Sequence, residues 1–546
     1  MLRLVTIAAL ILAASLSLLP YGSAKSAGKA TFTKDVAPIF FAKCAECHRA
    51  GETAPMSLLS YKDSRPWAKS IREKVVNRTM PPWHADSHFG QWANDRRLSQ
   101  KEIDTITAWV DAGAPEGNPA DLPPLPKYSE GWNIPTPDVV LKMDEPFKLE
   151  ASGADEYQYF EIPTNFTEDK YVQMIEARPG NRKIVHHILA FVVPAGAPSL
   201  SKVKKEMRDK AIEMSLMGSP WYRDGFLIRT RKETPYFDNA ADIPQKLKGY
   251  NEVDDFLTAY VPGHSPDKWP VGIAKKIPAG STLRLQIHYS KVAGSVQTDQ
   301  SEIGIVFATQ KPEKLLSTKS AANMFFKIPA NAENHLVTAE WEARSDTYIY
   351  SFSPHMHYRG KSMKYEATYP DGKSEVLLNV PNYDFAWQTT YVPTSPKFLP
   401  KGSRLKVTAG FDNSAKNKYN PDPSKDVRYG EPTYDEMMIG FFDYVRAWPA
   451  AVKVDTKLLD DYVGKYDLGQ GRTVSVIREG DKLFSIGTDN ARYLLIPIGK
   501  DRFRLEGVDV EVSFVRNERG EVVERIREGD GGLAHSRKLA IQASRE

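Results

Sequence analysis

Two textures divide the chain. From about residue 30 to 118 apolar residues recur at helical spacing, in KDVAPIFFAKCAECH (34–48) and in LSQKEIDTITAWVDAGAP (98–115), the second closing on Gly113 and Pro115. A stretch with six prolines between Pro119 and Pro137 follows and reads as a linker. From about 138 to 450 the runs become short and alternating, as in KYVQMIEA, VHHILAFVV, STLRLQIHYS, DTYIYSFS and SRLKVTAGF, with Pro/Gly turns between them. That is long for one sandwich, so a division near 310 is expected. The pattern restarts at about 456 (YVGKYDL, RTVSVIREG, KLFSIG, YLLIPIG, RFRLEG, EVSFVRN) at hairpin spacing. The predicted fold is therefore multidomain: a small all-α domain (30–118), a Pro-rich linker (119–137), two all-β, jelly-roll-like sandwiches (138–310 and 311–450), and a small antiparallel β-barrel-like module (456–540).

Composition narrows the function classes. With 546 residues, 41% hydrophobic and 26% charged, the chain has the make-up of a soluble multidomain protein. A net charge of +4 without a Lys/Arg block gives no nucleic-acid footprint. Arg3, the apolar run Leu4 to Leu19 and the small residues Gly22-Ser23-Ala24 read as a signal peptide over 1–24. The expectation is a protein carried across the inner membrane, periplasmic or extracellular, with no stable membrane span once the signal is cleaved.

The two cysteines, Cys44 and Cys47, are the chain's whole complement, so no disulfide framework is available. They stand in Cys44-Ala45-Glu46-Cys47-His48, a C-x-x-C-H spacing that suits two thioether bonds to one haem with His48 beneath the iron. Met80, in the stiff segment MPPW, is the expected sixth ligand; Met56 is the runner-up, and His84 and His88 are alternatives. This segment resembles class I cytochrome c, which makes the all-α domain a cytochrome c-like haem domain with a covalent c-type haem.

Four histidine- or methionine-bearing segments mark the β region: VHHILAF, LRLQIHY, SPHMHYRG and YDEMMIG. In a strand, i and i+2 share a face, so His355 and His357 project together and Met356 points away. His288 falls on the polar side of its strand, with Arg284 and Gln286. Adjacent His186 and His187 point to opposite faces unless the strand is bulged or ends there. Imidazoles with a thioether and no thiolate suit copper cycling between two oxidation states.

In this order the four segments resemble the copper type II, ascorbate-dependent monooxygenases, the family of peptidylglycine α-hydroxylating and dopamine β-monooxygenases, over residues 138–450. The resemblance implies two copper ions. His186, His187 and His288 would hold the electron-transfer copper, and His355, His357 and Met437, with Met438 as alternative thioether, the copper at which O2 is used. It implies hydroxylation of a C–H bond in a small organic substrate. The haem would relay electrons, supplied by an external donor such as ascorbate, a quinol-linked system or a cytochrome. The chain departs from the family: Ser353 replaces the Arg that helps hold a peptidylglycine carboxylate, and Ile439 and Phe441 replace a polar pair. A carrier or copper-binding protein without hydroxylase activity is the other reading. The last module resembles small β domains appended to secreted serine β-lactamase-like hydrolases and shows no nucleophile constellation.

Overall fold

The computed structural model describes residues 29–539, apart from 53, 129–130, 154, 196–235, 244–255, 262–263, 292–294, 431–432, 470, 488–491, 509 and 530–531. The proposed signal peptide lies outside the described residues. The chain forms two compact units, one of residues 1–81 and 97–126, the other of 82–96 and 127–546. Among the described residues no helix is long and apolar enough to cross a membrane.

The first unit corrects the predicted all-α cytochrome c domain. Strands account for 42% of the structure and helices for 12%, and among the described residues no sizeable all-α domain is seen. Helices Ala37–Lys43, Tyr61–Ser64, Ala68–Val76 and Gln100–Asp111 are short. The apolar spacing was legible, but the chain interrupts it. Phe32–Val36 is a π-helical turn, Pro38 restarts the helix at its first turn, and Cys44 caps it, so C-x-x-C-H is a turn. Ser99 and Glu102 form a reciprocal capping box that fixes the start of the last helix. Its buried face, Ile103, Ile106 and Trp109, packs with Phe32, Val36 and Phe40. Trp109 Nε1 donates to the Pro115 carbonyl at 2.9 Å, and Gly113 and Ala114 take positive φ to close the helix.

The second unit is β. Strands Glu156–Pro163, Thr282–Tyr289, Val185–Val193 and Phe256–Tyr260 make a four-stranded sheet. It covers strands that include Lys170–Arg178 and Glu302–Phe307, around Val172, Ile175, Ile188, Leu285 and Ile303. A second four-stranded sheet holds His335–Glu342, Arg404–Phe411, Gly360–Thr368 and Ser374–Val380. It closes over Lys314–Ala322, Ile439–Arg446 and Thr347–His355 around Phe352, Tyr365, Val407 and Phe442. There are thus two cores. Their larger sheets are continuous, because Lys314 and Leu315 pair in parallel with Ile273 and Ala274, making one nine-stranded sheet across the expected division at 310.

The segment Pro82–Arg96 belongs to this unit, with Trp83 and Trp92 edge-on to Tyr391 at 5.0 and 5.5 Å. Past the short helix Leu459–Tyr462, eight antiparallel strands from Gly464–Gly469 to Gly532–Lys538 form a closed barrel, sealed where Tyr466 and Asp467 pair with Lys538 and Arg537.

Candidate metal centres

Strand Val185–Val193 supplies two adjacent histidines to one point because it is bulged. Its register against Thr282–Tyr289 runs Val185 opposite Tyr289 and then His187 opposite His288, so His186 is the extra residue. The bulge rotates His186 onto the side of its neighbour. One donor nitrogen from each of His186, His187 and His288 then lies within 4.8 Å of the others. No carboxylate belongs to the set. Asp155 Oδ2 instead meets His288 Nε2 at 3.1 Å, which leaves His288 Nδ1 for a metal. Tyr157 stacks on the His288 ring at 4.4 Å and 4°.

Two polar atoms test whether this set fits an ion. His186 Nδ1 and His288 Nδ1 are buried without a hydrogen-bond partner, a costly state for an imidazole nitrogen unless a ligand meets it. Burial holds His186 down to about 4, with the charge of His288 adding to the effect, and drives His187 well below the ordinary histidine range for the same two reasons. His186 and His187 are therefore neutral near pH 7, with lone pairs to give. The donor set could hold a metal ion that takes imidazole ligands.

Asp155→Ala is expected to weaken metal binding at this set by about 10–100-fold, the usual consequence of losing a histidine's orienting carboxylate. Competition titration of Cu(I) against a chromogenic chelator measures it, and unchanged affinity would refute the orienting role.

The second set sits where two strands of the nine-stranded sheet end. His355 closes strand Thr347–His355 and pairs with Ile439, with Pro354 the strand's penultimate residue. Met356 is fully buried in the core, whereas His355, His357 and Met437 line one cleft. Met438 is buried in the core and does not line the cleft. His355 Nδ1 meets Gln388 Oε1 at 2.7 Å, and His357 Nδ1 meets the Asp435 carbonyl at 3.2 Å. Each ring donates Nδ1–H to an oxygen, which frees both Nε2 atoms. Burial lowers both rings, His357 well below the usual range with His355 adding to the effect.

Glu436 builds this corner. It is fully buried and accepts the backbone N–H of His357 (2.8 Å), Arg359 (2.6 Å) and Met437 (3.2 Å). One carboxylate thereby fastens the H-x-H segment to the methionine. Burial pushes its pKa up to about 8, against the pull of those three donors.

His187 of the first set lines the same cleft as His355, His357 and Met437. Phe385 lies between the sets, stacked on His186 at 4.9 Å and 12° and edge-on to His357 at 6.0 Å. Beside the second set the wall is apolar, with Phe256 stacked on Phe441 at 5.8 Å and with Ile439 and Met324. Farther in, Lys275 Nζ is already engaged by the Leu257 carbonyl, Thr318 Oγ1 (both 2.8 Å) and Asp443 (3.7 Å). Ser353 Oγ bonds Thr390 Oγ1 at 2.7 Å.

In the first unit, His48 Nδ1 meets the Met56 carbonyl at 3.2 Å, the hold that leaves Nε2 for an iron. Burial, with Cys47 adding to it, pushes the Cys44 thiol up to about 12, which argues against a reactive redox dithiol. His84 and His88 fall in the second unit, where His88 Nδ1 is held by Asp86 at 2.7 Å.

Sequence reasoning passed over Asp155, Tyr157, Phe385, Gln388 and Glu436. Glu436 carried a signal in its place beside Met437; the others are brought in by long-range pairing. No family model and no curated protein matches the chain. Two solved structures show distant likenesses. The major capsid protein P2 of bacteriophage PM2 is 9% identical, with 57% of this chain and 97% of that one covered and a TM-score of 0.20. The Sputnik virophage structure is 8% identical, with 75% and 95% covered and a TM-score of 0.15. Likenesses this faint carry no argument about function.

Proposed function

We propose that the chain is an exported haem- and copper-containing monooxygenase that uses O2 to hydroxylate a C–H bond of a small organic substrate. The observation that carries this reading is the shared cleft. His187 from a three-histidine set and His355, His357 and Met437 from a second set line one cavity. A carrier needs one redox metal; two metal-ligand sets opening on a cavity with an apolar wall suit an enzyme.

Bound copper would supply two single electrons and the activation of O2, and a haem on Cys44, Cys47, His48 and Met80 would replenish them from an external donor. The chain's own residues do the rest. Asp155, Gln388 and the Asp435 carbonyl fix which imidazole nitrogen faces each ion, and Glu436 holds His357 and Met437 in register. Phe256, Ile439 and Phe441 offer an apolar surface to the substrate and exclude water from it. The cleft's buried cation is already paired, so a substrate carboxylate has no clamp here. The reading therefore favours an apolar substrate over a peptidylglycine.

Metal and haem quantification with EPR tests the proposal. The wild type should hold two coppers per haem, and His357→Ala should lose one copper and one of two Cu(II) signals. One copper or none in the wild type would instead indicate a carrier or copper-binding protein, and an unchanged spectrum in His357→Ala would sink the assignment.

A further inference from the structure

The C-terminal barrel contains a charge that its own residues do not neutralise. Arg525 lies on the inward face of strand Val522–Gly529, opposite Phe514 on one neighbouring strand and Ser536 on the other, and is 3% exposed. One guanidinium nitrogen reaches across to Ser485 Oγ, on a strand four places away around the barrel, at 3.3 Å. Its Nε has no partner, nor has the buried hydroxyl of Ser536 beside it. Among the described residues no carboxylate pairs with it.

A buried guanidinium without an anion is strongly disfavoured, and the group is built to grip a planar carboxylate with two parallel N–H donors. The barrel's other interior groups do not compete. Tyr466 gives its hydroxyl to the Tyr462 carbonyl at 2.7 Å, and Tyr462, Phe503 and Phe514 pack on one another at 4.7–5.7 Å. The interior beside Arg525 is apolar, with buried Phe514 across from it and buried Val476 paired to Ser485.

We propose that the barrel is a binding module for a small organic carboxylate. Arg525 takes the carboxylate through Nε and a terminal nitrogen, Ser536 and Ser485 add hydroxyl donors, and the apolar part of the acid lies on Phe514 and Val476. The module's role is then recognition of an acidic metabolite, apart from the metal-bearing cleft.

The test is calorimetric titration of the full chain with hexanoate, benzoate, hexanamide and sodium chloride, paired with thermal unfolding. One of the acids should bind the wild type and raise the unfolding midpoint. Hexanamide should bind at least about tenfold more weakly, the loss of one charge-assisted pair. Arg525→Met should abolish acid binding and leave the metal content unchanged. Should Arg525→Met not fold, the comparison of acid with amide on the wild type still decides. Equal binding of acid and amide, an equal response to chloride, or no binding of either acid by the wild type would overturn the proposal.

Discussion

Glu436→Leu is expected to cost the second unit about 3–5 kcal/mol and, on the proposed function, to abolish metal binding at His355/His357/Met437. The carboxylate is a junction. Its two oxygens take three backbone N–H groups, two from His357 and Arg359, 79 and 77 positions away in sequence, and one from its neighbour Met437, and through them set the spacing of His357 and Met437. A leucine fills the space and leaves three buried donors without acceptors, at about 1–3 kcal/mol each before relaxation. Glu436→Gln keeps the shape and changes only the hydrogen bonding. Its carbonyl oxygen can replace the one that serves both His357 and Met437, while its amide faces the Arg359 N–H as a second donor. A loss of about 1–2 kcal/mol, with the metal partly retained, is expected. Thermal scans with copper quantification on both variants decide the matter. A leucine variant that melts like the wild type and holds a full copper complement would show that the junction is ornamental.

The metal-free protein is expected to lose stability steeply as pH falls from about 6.5 towards about 4. His186, His187, His355 and His357 are buried neutral, their protonation depressed chiefly by loss of solvent. In the unfolded chain the same rings take protons near 6.5, so over this window the unfolded state binds more protons and stability falls with pH. For His186, a drop from 6.5 to about 4 corresponds to about 3 kcal/mol, fully present above 6.5 and lost as pH descends through the folded value. The other three rings add in the same direction. Copper should raise the midpoint near pH 7 and progressively less as protons compete for the same nitrogens. Melting curves at about pH 7, 6 and 5, with and without copper, measure both effects. A flat response of the metal-free protein would contradict the buried neutral rings.

How much of this could be read in advance depends on the range of the interaction. Alternation in LRLQIHY is local, so the strand was legible and His288 could be put on its polar side. His355 and His357 shared a face for the same reason. The bulge at His186 was not legible, because it belongs to a pairing with a strand about a hundred positions later. Asp155 and Gln388 were hidden likewise: nothing near them in sequence hints that they turn His288 and His355. Glu436 was within view, next to Met437, but a buried acid is recognised only once its three donors are known. In the first unit the apolar spacing pointed to helices. Pro38, the turn at Cys44 and the positive-φ residues after Asp111 cut them too short for the domain that spacing suggested.

The two residue pairs that join Lys314 and Leu315 to Ile273 and Ala274 bear on how the β region can be divided. A chain severed at 310 would give halves that each carry a raw edge of unsatisfied N–H and C=O groups. Such edges zip onto any strand that offers itself, including a second copy of the same half. The halves should therefore be insoluble apart and soluble when produced together. For the same reason the two cores cannot part along their larger sheets without breaking this parallel pairing, which ties the core beneath the His186/His187/His288 strands to the strand that ends at His355.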